Sequence, residues 1–246
     1  PMSFNLFHIT VIVPYLMIKS FLIILGLNGF LYGAQQLLLV VAQNYESTHA
    51  MLYCYEDEHL VFAPIEVNLG QNGLGVGIGE TTLLSTREGV EKREGDKKAP
   101  IGVFRLTRLF GYEANEGYSL PYLHLNNETI CVDDADSPLY NTIVQIPSNP
   151  PKSYENMLRE DHQYKLGIEV AHNQEGRKNK GSCIFIHVAK GERTASAGCT
   201  TMEYKSLKKI AKWLDAAKNP LLIQIEKGSL KEVQELYPAL KAHKED

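Results

Sequence analysis

From Gln36 to Val188 the chain is built of short runs rich in β-branched and aromatic residues, separated by polar, Gly- or Pro-containing turns. The runs Gln36–Val41, Ala50–Tyr55, Leu60–Val67, Gly102–Leu109, Tyr122–Cys131, Gly167–Ala171 and Ser182–Val188 read as strands. Helical periodicity appears only late. Thr200 offers an N-cap hydroxyl with Glu203 three residues on, and Leu207, Ile210, Ala211 and Leu214 then follow at helical spacing. Asn219-Pro220 ends that helix, Leu221–Ile225 is a further strand, and Leu230–Tyr237 is a last helical turn or two stopped by Pro238. The pattern predicts a mainly β protein with a few helices.

Gly73, Gly75, Gly77 and Gly79 alternate with Leu74, Val76 and Ile78. A dinucleotide loop would need a helix next, whereas Glu80–Thr86 leads into the charged stretch Arg87–Lys98, so the glycines read as a strand in close backbone contact.

The 246 residues carry 25 basic and 29 acidic side chains, a formal net charge of −4. A nucleic-acid binder needs a basic surplus on at least one face, and this balance argues against one. The charge is unevenly spread, because between Pro1 and Gly33 the only formal charge is Lys19. From Met17 the order of one Lys, an apolar run Phe21–Leu31 and small residues at Gly33 and Ala34 has the layout of a secretory signal peptide, with residues 1–16 as an upstream extension. A retained membrane anchor is the competing reading, weakened by Asn28 and the small residues. Residues 34–246 are then expected to form a single exported domain, in contact with a membrane only if the first segment is kept.

Export changes how Cys54, Cys131, Cys183 and Cys199 are read. They form no C-x-x-C pair and have no His at metal spacing, which argues against a zinc site, and an oxidising compartment allows disulfides in three connectivities. Cys199 stands apart. It follows Ser196-Ala197-Gly198, lies 12 residues after His187, and directly precedes the helix expected from Thr200. A helix N-terminus lowers a thiol pKa, Gly198 permits a tight turn, and backbone N–H groups around Gly198 and Cys199 suit a developing oxyanion. His187, near the end of an apolar strand, is the matching general base. Cys183 shares a strand face with His187 but lacks the glycine turn, and reads as core.

Three blocks, Gly95–Phe104 (GDKKAPIGVF), Gly181–His187 (GSCIFIH) and Ser196–Cys199 (SAGC), together resemble the YkuD-type L,D-transpeptidase catalytic domain. Gly73–Gly79, Cys131–Asp134 with Ser137–Asn141, and Glu169–Asn173 extend the resemblance over roughly Gln36 to Trp213. It implies a β-sandwich-like fold and an enzyme acting on peptidoglycan stem peptides, with Cys199 as nucleophile and His187 as its base, and no metal or organic cofactor. Cys199 would form an acyl-enzyme with release of the terminal D-Ala of a tetrapeptide stem. An amine of a second stem then resolves it as a crosslink; water in that role would make the same site an L,D-carboxypeptidase.

Many members carry a His before the Gly-Cys and an Arg or Asn two residues after the Cys, where this chain has Ala197 and Thr201. These departures motivate a further alternative, a catalytically idle wall-binding relative. Ser196, His172 and Asn173 are supporting candidates for the cleft. Arg159 and Lys190 carry charges suited to stem carboxylates, Arg as a fork, although a surface role is the simpler reading of each. Asp133, Asp134 and Asp136 read as a solvated turn beside Ser137-Pro138 in preference to a cation site.

Overall fold

A computed structural model of the chain describes residues 35–244. The apolar segment through Gly33, expected to be a leader or anchor, lies outside the described residues. The mainly β class holds: fourteen strands and two short α-helices occur among the described residues, with single 3-10 turns between them.

In chain order the strands are β1 (Gln36–Ala42), β2 (His49–Glu56), β3 (His59–Leu60), β4 (Ile65–Asn68), β5 (Leu74–Val76), β6 (Ala99–Gly111) and β7 (Tyr122–His124). They continue as β8 (Thr129–Cys131), β9 (Ile143–Gln145), β10 (Glu155–Asn156), β11 (Leu166–Val170), β12 (Phe185–Val188), β13 (Thr200–Met202) and β14 (Leu221–Glu226). The helices are α1 (Tyr204–Trp213) and α2 (Leu230–Leu236). The large sheet runs β1-β14-β6-β11-β12-β13-β4-β2, and β2 pairs back onto β1, so the sheet closes on itself. A second sheet of three strands, β10-β8-β9, stands apart from it.

Period-two alternation explains why β1 is apolar almost throughout. Leu38 and Val40 face a core shared with Phe104, Ile168, Ile186 and Leu207, while Leu37 and Leu39 face a second cluster with Ile223, Ile225 and Val233 of α2. With both faces covered, each of these β1 leucines is fully buried. Helix α1 buries Leu207, Ile210 and Ala211 on the first core, as their spacing requires. A third cluster joins Phe110, Met157, Tyr164 and Phe185 to three cysteines, Cys131, Cys183 and Cys199.

Several boundaries differ from the sequence reading. Leu60–Val67 and Tyr122–Cys131 each break into two strands, and Gly102–Leu109 is the middle of a longer one. Within Gly73–Gly79 only Leu74–Val76 is strand, but the close contact is real: a Cβ on Gly79 would lie 2.1 Å from the Val103 carbonyl oxygen.

The largest correction concerns the helix expected from Thr200. It begins instead at Tyr204, and Thr200–Met202 is a strand running parallel to β12. The Thr200 hydroxyl expected to cap it has a tertiary partner, donating to Gln224 Oε1 at 2.7 Å, and the neighbouring Thr201 accepts from the Asn68 amide at 3.3 Å. Two consecutive β-branched residues favour the extended form in any case.

Candidate active site

Cys199 ends a tight turn that feeds β13. Gly198 before it adopts φ +141°, and a Cβ there would sit 3.0 Å from the Lys98 carbonyl oxygen, so glycine is required. The Ser196 hydroxyl fastens the turn, donating to the Cys199 carbonyl at 2.5 Å and accepting from the Gly198 N–H at 3.0 Å.

The thiol of Cys199 is free and 9% exposed. It donates to the Cys183 carbonyl at 3.5 Å and accepts the Phe185 N–H at 3.4 Å. Burial pushes the thiol up to about 12, and the Glu155 carboxylate adds to the rise; the Phe185 N–H and the charges of Lys92 and Arg159 oppose it. The helix-dipole activation expected of this thiol is therefore absent, because a three-residue strand separates Cys199 from α1.

His187 lies on β12 with Thr201 opposite it in register, and it is 5% exposed. Its Nδ1 is 3.0 Å from the Val188 carbonyl oxygen, which can only accept, so Nδ1 carries the proton and Nε2 is left as the basic nitrogen. Burial pushes the imidazole down to about 4. The Tyr164 ring meets it edge-on at 5.0 Å. Both groups are thus neutral at rest, thiol and imidazole alike.

Cys183 is not simply core. It is disulfide-bonded to Cys131, and with φ +53° it holds a backbone conformation that a Cys seldom adopts. Its N–H donates to Asn141 Oδ1 at 2.9 Å, and the Asn141 amide in turn donates to the carbonyls of His172 and Asn173, each at 2.8 Å. The irregular backbone of this stretch explains why the strand expected from Ser182 starts only at Phe185.

The residues just described belong to one recognisable domain. A family model for the YkuD L,D-transpeptidase catalytic domain matches residues 40–225, more than half of the chain. The chain belongs to the YkuD family. No curated protein and no solved structure matches it. YkuD domains have a β-sandwich-like fold and act on the peptides of peptidoglycan, which suggests the cell envelope as their place of work.

In this YkuD domain Cys199 and His187 line one cleft of about 400 Å3, together with Ser196, Gly198, Arg159 and Lys190. His172 and Asn173 are not on that wall. His172 is 1% exposed, accepts the Ile78 N–H at Nδ1 (3.2 Å) and donates from Nε2 to the Lys180 carbonyl (2.9 Å). Asn173, fully buried, ties Arg177 and Gly181 together through its amide. Both act behind the cleft, shaping the loop that leads to Cys183, because their polar atoms are spent on backbone groups.

Arg159 forks onto Asp161, with 2.9 Å and 2.5 Å contacts, and its guanidinium lies over the Tyr164 ring at 5.0 Å. That pairing raises the Arg159 pKa and holds the Asp161 carboxyl far below the usual range. The acidic turn also divides. Asp136 pairs with Lys178, and Asp134 accepts the N–H groups of Asp136 and Lys152, but Asp133 turns toward the cleft.

Two cleft residues carried no sequence signal. Glu155, on β10 directly opposite Cys131, accepts the Tyr164 hydroxyl at 2.6 Å, and burial raises its pKa. Lys92 stands in the charged stretch Arg87–Lys98, where only three-dimensional placement separates a buried lysine from solvated ones.

Proposed function

We propose that the chain is a cysteine L,D-transpeptidase working on tetrapeptide stems of peptidoglycan, with Cys199 as nucleophile and His187 as its base. The observation that carries this reading is a free, buried thiol on a glycine turn, in one cleft with an imidazole whose basic nitrogen is fixed by the Val188 carbonyl.

Cys199 Sγ attacks the carbonyl carbon of the amide that joins the third stem residue to the terminal D-Ala, and its proton passes to His187 Nε2. The Gly198 N–H is engaged by Ser196, so the Cys199 N–H is the donor assigned to the tetrahedral oxyanion. As the intermediate collapses, the C–N bond breaks and His187 returns the proton to the departing amine, which leaves as D-Ala. The thioester is then attacked by an amine of a second stem. That amine gives its proton to His187, the new amide forms, and the thiol is regenerated. Starting from two neutral groups suits this cycle, since charge appears only as the reaction proceeds. Export through the 1–33 segment belongs to the same proposal and agrees with a disulfide in the domain.

Incubation of the purified protein with disaccharide tetrapeptides, followed by mass analysis, tests the assignment. A crosslinked dimer with free D-Ala is expected, and Cys199→Ala is expected to abolish D-Ala release while folding normally. Tripeptide without dimer would make water the acceptor, and release unchanged in Cys199→Ala would overturn the role of Cys199. No reaction and no acyl adduct with a carbapenem would leave a wall-binding relative.

A further inference from the structure

Taking an ammonium out of water costs several kcal/mol unless it is paired, so a buried lysine calls for an account of its charge. The Lys92 side chain is 4% exposed. Its Nζ donates to Asp96 Oδ1 at 2.7 Å and to the Arg93 carbonyl at 3.1 Å, which uses two of its three N–H groups. Asp96 does not simply cancel it. The same carboxylate accepts the N–H of Arg93 at 2.6 Å and that of Lys98 at 2.9 Å, so its charge is shared among several donors.

The placement of Lys92 is specific. Its stem crosses Gly181, where a Cβ would lie 3.1 Å from Cε and 3.2 Å from Cγ, and its Nζ is 3.8 Å from where a Gly198 Cβ would be. Gly198 immediately precedes Cys199, and Gly181 leads into Cys183, whose carbonyl receives the thiol. A positive charge is therefore held between the two loops that present Cys199, in the same cleft as His187. Lys97, Lys190 and Arg159 also line the cleft; of these Arg159 acts on the thiol, but its side chain is 34% exposed and bound to Asp161, so solvent screens it more. Glu155 from β10 is the carboxylate that opposes it at the thiol, Glu94 and Asp133 are further carboxylates on the cleft wall, and Tyr164 and His187 also face it.

We propose that Lys92 supplies the fixed positive charge against which the Cys199 thiol ionises when it gives its proton to His187. Lys92 is in this sense a positioning residue whose ammonium carries the effect. The inference rests on the nucleophile role proposed for Cys199 and adds a component that the family blocks quoted above do not contain.

The test is alkylation of Cys199 by iodoacetamide between pH 6 and 10, with the site mapped by mass and the buried Cys54 thiol as internal control. The neutral probe needs no peptidoglycan. Lys92→Met keeps the stem and removes the charge. Its thiolate fraction is expected to fall about tenfold, partly offset by a more basic sulfur, so alkylation at pH 8 slows at least about threefold. Lys92→Arg is expected to stay near the parent rate. Asp96→Asn, which frees the ammonium from its partner, is expected to speed alkylation, and this opposite sign keeps the test decisive if Lys92→Met does not fold. Unchanged profiles in the folded variants, or slowing in Lys92→Met and Lys92→Arg alike, would overturn the proposal. A shifted profile without D-Ala release would leave the Lys92 inference standing while the stem-peptide reading falls.

Discussion

The Cys199 thiol donates to the carbonyl of Cys183, a residue that is itself disulfide-bonded to Cys131. The Cys199 sulfur therefore rests on a piece of backbone held by a covalent bond and, through the Cys183 N–H, by Asn141.

Reduction should expose that dependence. The disulfide spans 52 residues, and closing a loop of this size stabilises by about 4 kcal/mol in the chain-entropy treatment. Urea unfolding with and without dithiothreitol is expected to show a lower midpoint in reductant. The double variant Cys131→Ala/Cys183→Ala should start lower and show no further drop.

Asn141 is the second anchor. Asn141→Ala leaves the Cys183 N–H without its acceptor and releases two carbonyls, so a loss of about 2 kcal/mol or more is expected by chemical denaturation. Acylation of Cys199 by a carbapenem should slow in the same variant.

Gly198→Ala combines a strained φ with a 3.0 Å approach to the Lys98 carbonyl. A stability loss of about 1–3 kcal/mol is expected, with D-Ala release reduced on the order of 100-fold because the thiol is displaced. Thermal unfolding and release kinetics measure the two effects separately.

Stability should fall in mild acid. His172 and His187 are both held at about 4 in the folded chain against about 6.5 when exposed. The unfolded chain therefore binds protons first. The stability contributed by keeping them neutral is complete above pH 6.5 and is lost progressively as pH falls from about 6.5 through about 4, roughly 3 kcal/mol for each group. His172→Gln, which can replace both hydrogen bonds, is expected to remove about half of that slope in unfolding titrations.

Activity has its own acid limb. With His187 neutral down to about 4, kcat/KM for D-Ala release is expected to hold well below pH 6.5. A half-maximal point at 6.5 would mean that the base is solvated like an ordinary histidine.

Much of the β framework is legible in the sequence, because β1 is apolar on both faces and β14 sets Leu221, Ile223 and Ile225 on one face, patterns that need no partner to be read. The turn at Ser196–Cys199 and the strand carrying His187 are legible for the same local reason. The false helix start arose where local and tertiary bonding compete: Thr200 and Glu203 make a valid capping pattern, but the buried Gln224 takes the hydroxyl. The disulfide was one of several allowed pairings, since spacing along the chain says nothing about distance across it. Lys92 was invisible because burial of a charge depends on the shape of what surrounds it, here the gaps left by Gly181 and Gly198.

The small sheet gives the cleft an unusual property. Glu155 stands opposite Cys131 in the β10–β8 pairing, and Cys131 is bonded to the loop on which the Cys199 thiol rests. The two walls of the cleft are thus joined covalently through Cys131 and Cys183 as well as by the packing of Phe110, Tyr164 and Phe185. Completing this cleft therefore takes an oxidation in addition to folding of the chain.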